Sequence, residues 1–567
     1  MKRLFTILAI GIGLISLFIA MLSFIRHKLR GQLQPDKPNL IFIMMDDLGY
    51  SQVGWTSENI SPDDYDPHFL RYTLAGGDYT PEQALEFARR STPTLSRMAN
   101  SGVIFSNAFT PSNLCAPSRI AMATGILQNR WGIYRNIDIE AHGPKPGSIL
   151  AERLKDAGYA TAHVGKWHMG SRDLSMIPEF MKKHGIKDSA GIYPPLTQYP
   201  EIRKNLYDNG FAGSTTPEHH ALNHGFDYYY GYNMWESPFY NADNVWEGFE
   251  HAGINPEYNT DIFTDKAIAF IEQSIEQQKP FFVQIHYHAV HGPLDPKAPD
   301  SYYDRFDSES FILNNFYAHV FGVDENVRRL EELLKDKGLA DNTIFVFISD
   351  NGGSIGGRST MPGNAPYRGH KGNFLLGGIR VPMFFYWPKG IKAPLVTDHL
   401  VSGMDILPTF VDAAGGQLPG DLDGKSLLPL LKGISDEPVR DYLLWSGIHA
   451  RAWGFMINTS FLTAYQERER APAAWGVVKD GYILRYVSET EPGLYKEIPE
   501  GAPAYAELFH YISDPGETKN LIEKEPDIRK DLQLIWEKES VSFPPPVRWR
   551  RDRWEAIVPD NNRFIDR

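Results

Sequence analysis

Four short apolar runs, each stopping abruptly at ionisable residues, organise the chain. Asn39–Met45 (NLIFIMM) ends at Asp46-Asp47, and Tyr159–Gly165 (YATAHVG) ends at Lys166-Trp167-His168. Pro280–His288 (PFFVQIHYH) runs into Ala289-Val290-His291, and Thr343–Ser349 (TIFVFIS) into Asp350-Asn351-Gly352-Gly353. Continuous runs of this length are what strands covered on both faces require. Between them the spacing turns helical. Ser148–Gly158 (SILAERLKDAG) is amphipathic, and Ala318–Gly338 sets Val320, Val323, Val327, Leu330 and Leu334 on one face. Strand, polar residues, helix, strand predicts an α/β protein with a mostly parallel sheet, its ligand at the carboxyl ends of the strands.

Past Val401–Gly416 and Leu422–Gly433 the texture changes to shorter apolar runs, many aromatics and frequent Gly and Pro. This predicts a larger α/β domain over residues 36–435 and a smaller α+β domain with an antiparallel sheet over 436–567. At the other end, Leu4–Ile25 runs for 22 residues without a charge, between Lys2-Arg3 and Arg26, Lys28 and Arg30. That length crosses a hydrocarbon layer, and neither an A-x-A cleavage pattern nor a lipobox cysteine follows it. Residues 1–32 are therefore expected to be an uncleaved membrane anchor, with a cleaved signal and a secreted protein as the alternative.

Composition narrows the partners. The formal net charge of −13 and the lack of a long basic block exclude nucleic-acid binding. An acidic chain can still bind an anion where basic groups or a metal cluster locally. One cysteine in 567 residues rules out an intramolecular disulfide. Combined with export, this points to a bacterial envelope or periplasm.

Asp46, Asp47, Asp350 and Asn351 offer hard oxygen ligands without thiol or imidazole, a set suited to Ca²⁺ or Mg²⁺ and not to zinc. Either pair alone also reads as a surface turn. Both pairs, each directly after a buried strand, favour a metal. Arg119, Lys166 and Lys371 are candidates to hold an anionic group, and His168 and His291 to move protons near neutral pH. Lys166 and His168, two apart in an extended segment, share one side. Cys115, as a plain thiol, reads as inert core.

The stretch around that cysteine changes this reading. Cys115, Pro117, Ser118 and Arg119, followed by Thr124-Gly125, resemble the sulfatase signature. Further blocks match that family in order, among them NLIFIMMDDLGY, GYATAHVGKWHMG, HAVHGPL, HKGNFLLGGIRVP and ELFHYISDPGETKNL. The resemblance covers about residues 38–525. Two positions depart from it: Leu376 stands where the family usually carries Glu, and Val290 where Pro is common.

The resemblance implies an alkaline phosphatase-like mixed, mostly parallel sheet flanked by helices. It implies sulfuric ester hydrolysis by a formylglycine (3-oxoalanine) that a maturation enzyme makes from Cys115. It also implies one Ca²⁺, with Mg²⁺ the lesser fit, on Asp46, Asp47, Cys115, Asp350 and Asn351. Asp350 would serve as base for the attacking hydroxyl, and His168 would deprotonate the hydroxyl that later expels sulfate. Lys166 and Arg119 would hold the oxygens and the metal-site geometry, and His291 and Lys371 the leaving-group side. The expected substrate is a sulfate ester, with a sulfated polysaccharide fragment preferred over an aryl or steroid ester. That preference follows from export, the long insertion Ser171–Gly213 and the aromatic-rich Asn241–Phe249. The basic-aromatic tail Val547–Glu555 is read as closing the C-terminal domain. Two alternatives stand beside this reading: a phosphonate or phosphate ester hydrolase of the same superfold, and a non-catalytic anchored binding protein.

Overall fold

The computed structural model describes residues 37–544 and 547, apart from 68, 71–73, 75–76, 140–141, 172–181, 183–213, 235–237, 356–360, 448–473 and 488–504. The expected anchor over residues 1–32, nearly all of the Ser171–Gly213 insertion and most of the Val547–Glu555 tail lie outside the described residues. Among the described residues no helix is long and apolar enough to cross a membrane.

Three of the four apolar runs become strands with bounds within a residue of those expected, and the fourth a slightly shorter one. In chain order the large sheet contains β1 (Asn39–Met45) and β2 (Val103–Phe105); β3 (Ala108–Phe109) lies apart from it. The sheet continues with β4 (Ala160–Lys166), β5 (Tyr228–Tyr232), β6 (Trp246–Glu247), β7 (Glu250–His251), β8 (Phe281–His286) and β9 (Thr343–Ser349). It closes with β10 (Met383–Tyr386) and β11 (Leu395–Thr397), while β12 (Val401–Ser402) pairs with β3. The order across the ten strands is β11-β2-β10-β9-β1-β8-β4-β5-β6-β7. The run β9-β1-β8-β4-β5 is parallel throughout. Antiparallel β10 interrupts the pattern between β9 and β2.

β1 shows why these runs carry no polar alternation. All seven of its residues are buried. Ile41, Ile43 and Met45 face one core, while Leu40, Phe42 and Met44 face another on the opposite side of the sheet. A strand covered on both faces has no polar position to offer, and each fully buried aliphatic side chain contributes about 1.5–3 kcal/mol.

The helices that supply the two covers are α1 (Pro81–Ser91), α2 (Pro93–Asn100), α3 (Cys115–Thr124), α4 (Leu150–Asp156), α5 (Asn259–Glu276), α6 (Phe311–Asp336) and α7 (Ile406–Ala413). Residues of α1, α2, α5 and α6 line the first core, and residues of α3, α4 and α7 the second. α6 begins at Phe311 rather than at Ala318, where the one-sided pattern starts. Its opening turns, including Leu313, Phe316 and Tyr317, are buried together with their polar neighbours Asn314 and Asn315, which hides the helical period. Ser310 caps it, its hydroxyl accepting from the Leu313 N–H at 3.2 Å.

Toward the C-terminus, β13 (Tyr442–Gly447), β14 (Ala474–Lys479), β15 (Tyr482–Val487) and β16 (Tyr505–His510) form an antiparallel sheet in sequential order. Asp480 and Gly481, both at positive φ, make the tight turn between β14 and β15. α8 (Pro526–Ser540) covers this sheet, with Trp536 stacked on Trp475 at 4.8 Å. A third core joins Trp445, Trp475 and Leu508 of the small sheet to Phe109, Ala121, Phe374 and Ile379.

Candidate active site

Parallel neighbours end on the same side, and here they bring the polar strand ends together. β1 and β9 pair in register up to Met45 and Ser349, so Asp46 and Asp350 emerge side by side. Asp47, at φ 62, turns the chain so that its N–H donates to Asp350 Oδ1 at 3.2 Å. On the other flank of β1, β8 and β4 deliver His288, His291, Lys166 and His168. Gly165 lets those two strands close: it sits at φ 104, and a Cβ there would lie 2.0 Å from the His286 carbonyl oxygen.

Cys115 occupies the first position of α3 and is 1% exposed. Its Sγ lies 3.6 Å from Asp46 Oδ1 and 4.0 Å from Asp47 Oδ1. One turn further along the helix, Arg119 sends Nε and Nη2 to Asp350 Oδ2 at 2.9 and 2.8 Å, and Nη1 to the Lys166 carbonyl at 3.0 Å. Lys166 Nζ reaches Asp46 Oδ2 at 2.6 Å. Lys371 Nζ reaches Asp47 Oδ1 at 2.7 Å. Three buried carboxylates thus face three buried cations.

Burial pulls the Asp46 carboxyl up, but the positive charges of Lys166, Arg119 and Lys371 together hold it well below the usual carboxylate range. Asp350 moves the other way, pushed up to about 7 by burial and by the crowding of Asp46 and Asp47. Burial also pushes the Cys115 thiol up, against the pull of Lys166 and Lys371. A plain thiol at this position stays protonated and is a poor nucleophile.

Both candidate histidines are kept neutral. Burial, then Lys166 and Arg119, holds His168 well below its usual value. Neither of its ring nitrogens finds a hydrogen-bond partner among the described residues. Burial and Lys371 do the same to His291. Its Nδ1–H donates to the Gly292 carbonyl at 2.7 Å, which leaves the Nε2 lone pair facing Asp47 Oδ2 at 3.7 Å.

The metal-ligand set splits in the structure. Asp46, Asp47, Cys115 and His291 place ligand atoms within 4.8 Å of one another. Asp350 is engaged by Arg119. Asn351 donates Nδ2–H to Asp47 Oδ1 at 2.9 Å, while its own Oδ1 is buried without a hydrogen-bond partner among the described residues. A buried amide oxygen left in that condition beside three carboxylates matches the donor set of a hard divalent cation. All ten predicted site residues meet around one centre, nine of them buried and His291 partly exposed at its edge.

Sequence reasoning passed over two neighbours. His288, treated as the end of an apolar run, has Nδ1 3.9 Å from Asp46 Oδ2 and its ring 5.4 Å from that of His291. The repeated histidines of HYHAVH were the available signal. Asn233 follows β5 and accepts the His168 N–H on its carbonyl at 2.9 Å. Its side chain is 1% exposed with both amide atoms unpartnered among the described residues. A lone Asn after a strand gives no sequence signal of this.

The chain is 31% identical over 529 residues to the uncharacterized sulfatase YdeN of Escherichia coli, covering 90% of this chain and 87% of that one. It is 30% identical over 425 residues to mouse N-acetylgalactosamine-6-sulfatase, covering 72% and 69%. In fold it is similar to Ps i-CgsB solved with k-i-k-neocarrahexaose, at TM-score 0.65 and 22% identity over 93% of this chain and 98% of that one. It is also similar to BT4656 solved with its substrate D-glucosamine-2-N,6-O-disulfate, at TM-score 0.58 and 20% identity over 89% and 98%. The Sulfatase family model matches residues 38–416, and the chain belongs to the sulfatase family of sulfuric ester hydrolases.

Proposed function

We propose that this sulfatase removes sulfate from a sulfated carbohydrate, using a formylglycine made from Cys115 beside a Ca²⁺ ion. The observation that carries the reading is the setting of Cys115. It is buried at the head of α3 within 4.0 Å of two carboxylates, and its thiol is held protonated. A side chain so placed contributes little as a thiol and much once oxidised. Hydrated by one water, the aldehyde would supply two hydroxyls on one carbon, one suited to attack sulfur and the other to release sulfate afterwards, and a divalent cation would make the attacking hydroxyl easier to ionise.

Asp46, Asp47, Asp350 and Asn351 would hold the cation, with residue 115 completing the shell. The chain's other residues act by charge and by position. Arg119 keeps Asp350 oriented, and Lys166 keeps Asp46 oriented. The three cations offset the three carboxylates, so a bound divalent ion leaves the pocket net positive and attractive to a sulfate ester. Neutral His168, with both nitrogens unengaged, is suited to accept a proton from residue 115. Lys371 and His291 lie on the Asp47 side, where the ammonium would neutralise a departing alkoxide and His291, once protonated at Nε2, would donate a proton to it.

The carbohydrate class is supported by the relatives of similar fold, Ps i-CgsB with a neocarrahexaose and BT4656 with a glucosamine disulfate. The apolar Leu4–Ile25 segment supports export and anchoring in a bacterial envelope. Mass spectrometry of the tryptic peptide Met98–Arg119, from protein made in its native host, tests the modification directly. The expected result is formylglycine at residue 115. An unmodified thiol in active protein would overturn the mechanism. Desulfation of sulfated oligosaccharides, run beside matched aryl sulfate and aryl phosphate esters, tests the substrate class. Faster turnover of the phosphate would favour phosphoryl chemistry instead.

A further inference from the structure

We propose that Glu517 and Arg485, in the C-terminal part of the chain, are positioning residues that hold Lys371 in the active site. The inference rests on Lys371 acting on the substrate, as read above.

Lys371 sits between Gly369 and Gly372, which have φ of 87 and 92. Two glycines in the left-handed region give this segment little conformational preference of its own. On the site side, the Lys371 N–H donates to the Gly353 carbonyl at 3.1 Å and the Gly372 N–H to the Asn113 carbonyl at 2.9 Å. On the opposite side the segment is gripped by charge. Arg485 Nη1 donates to the Phe374 carbonyl at 3.0 Å and to Glu517 Oε1 at 2.6 Å. The other carboxylate oxygen of Glu517 accepts the Leu376 N–H at 3.2 Å. Glu507, directly across β15 and β16 from Arg485, binds the guanidinium at 3.1 Å. The side chains of Arg485 and Glu517 are wholly buried.

Holding the small sheet together does not require these charges, since apolar side chains of the same volume serve a core as well or better. A buried ion cluster adds direction. Here it fixes one carbonyl and one N–H, three and five residues after Lys371, in a loop whose ammonium must reach Asp47 to within a few tenths of an ångström. Displacement of about 1 Å at a reacting group costs up to about 100-fold in rate.

The test is a double-mutant cycle between position 517 and Lys371, in full-length protein, with turnover of aryl sulfates normalised to formylglycine content. Glu517→Gln keeps the shape and one acceptor and removes the charge; Glu517→Ala removes both. Glu517→Gln decides the matter if Glu517→Ala does not fold. Each is expected to lower kcat by on the order of 10-fold with KM little changed, and more for esters with poorer leaving groups. In a Lys371→Ala background the same substitutions should cost less than about twofold. Equal losses in both backgrounds, or no loss in either, would overturn the proposal. Should Lys371→Ala itself leave turnover intact on every ester, the role given to Lys371 falls, and the proposal with it.

Discussion

Arg119 grips a single oxygen of Asp350 with two nitrogens, at 2.9 and 2.8 Å, and both side chains are wholly buried. Because Arg119 stands one helical turn after Cys115, this contact fixes the distance between residue 115 and the end of β9. Removing the guanidinium would strand Asp350 and part of the charge of Asp46. Arg119→Ala is therefore expected to cost about 3–5 kcal/mol of stability, as for other broken buried pairs, and to abolish turnover. Arg119→Lys keeps the charge without the fork, and should fold while remaining at least about 10-fold slower. Urea denaturation and aryl sulfate turnover on the same preparations check both.

Cys115→Ser separates folding from chemistry. The substitution is close to isosteric, so its effect on stability should stay under about 1.5 kcal/mol. Turnover should fall below detection, because serine has no route to the second hydroxyl. Wild-type turnover by the serine variant would show that residue 115 is not the nucleophile's source.

Chelation should act on activity and stability together. A cation held by Asp46, Asp47, Asp350 and Asn351 would bind the folded chain alone, so at a hundredfold excess over Kd it would add about 2.7 kcal/mol. EGTA treatment is expected to remove turnover and lower Tm, and Ca²⁺ to restore both. Restoration by Mg²⁺ at lower concentration than Ca²⁺ would reverse the metal assignment.

Away from the site, His319 sets an acid limit. Burial holds its imidazole down to about 3, while Tyr258 Oη lies 2.6 Å from its Nδ1. The unfolded chain protonates this group near pH 6.5, well before the folded one does. The stabilisation from neutral His319 is thus complete above pH 6.5 and lost progressively as pH falls toward 3. His163, held at about 3 by burial and Arg119, behaves the same way. Between pH 7 and 4.5 the wild type should lose about 3 kcal/mol relative to His319→Gln, measured as the difference in unfolding free energy at each pH. Parallel pH profiles for the two proteins would refute this.

The parts legible in the sequence share one property: they obey a local rule. Strands β1 and β9 match their apolar runs residue for residue, because burial on both faces leaves an uninterrupted hydrophobic signature. Asp46, Asp47, Asp350 and Asn351 could be singled out because each pair breaks such a run. Contacts made at long range left no local trace. Antiparallel β10, wedged beside β9, looks like any other apolar segment until its partners are known. At Leu376 the sequence suggested a lost carboxylate, yet a carboxylate does reach that backbone, from Glu517 across 141 positions. Asn233 becomes conspicuous only once strand ends from four parts of the chain have met, whereas the repeated histidines of HYHAVH already pointed to His288.

The solitary cysteine has a practical corollary. With no second sulfhydryl in 567 residues, an unconverted chain has nothing to pair with internally and cannot hide its thiol in a disulfide of its own. Unfolded in denaturant, each polypeptide offers a thiol reagent one equivalent or none. If residue 115 is converted as proposed, the titre counts, without background, the molecules that have escaped conversion.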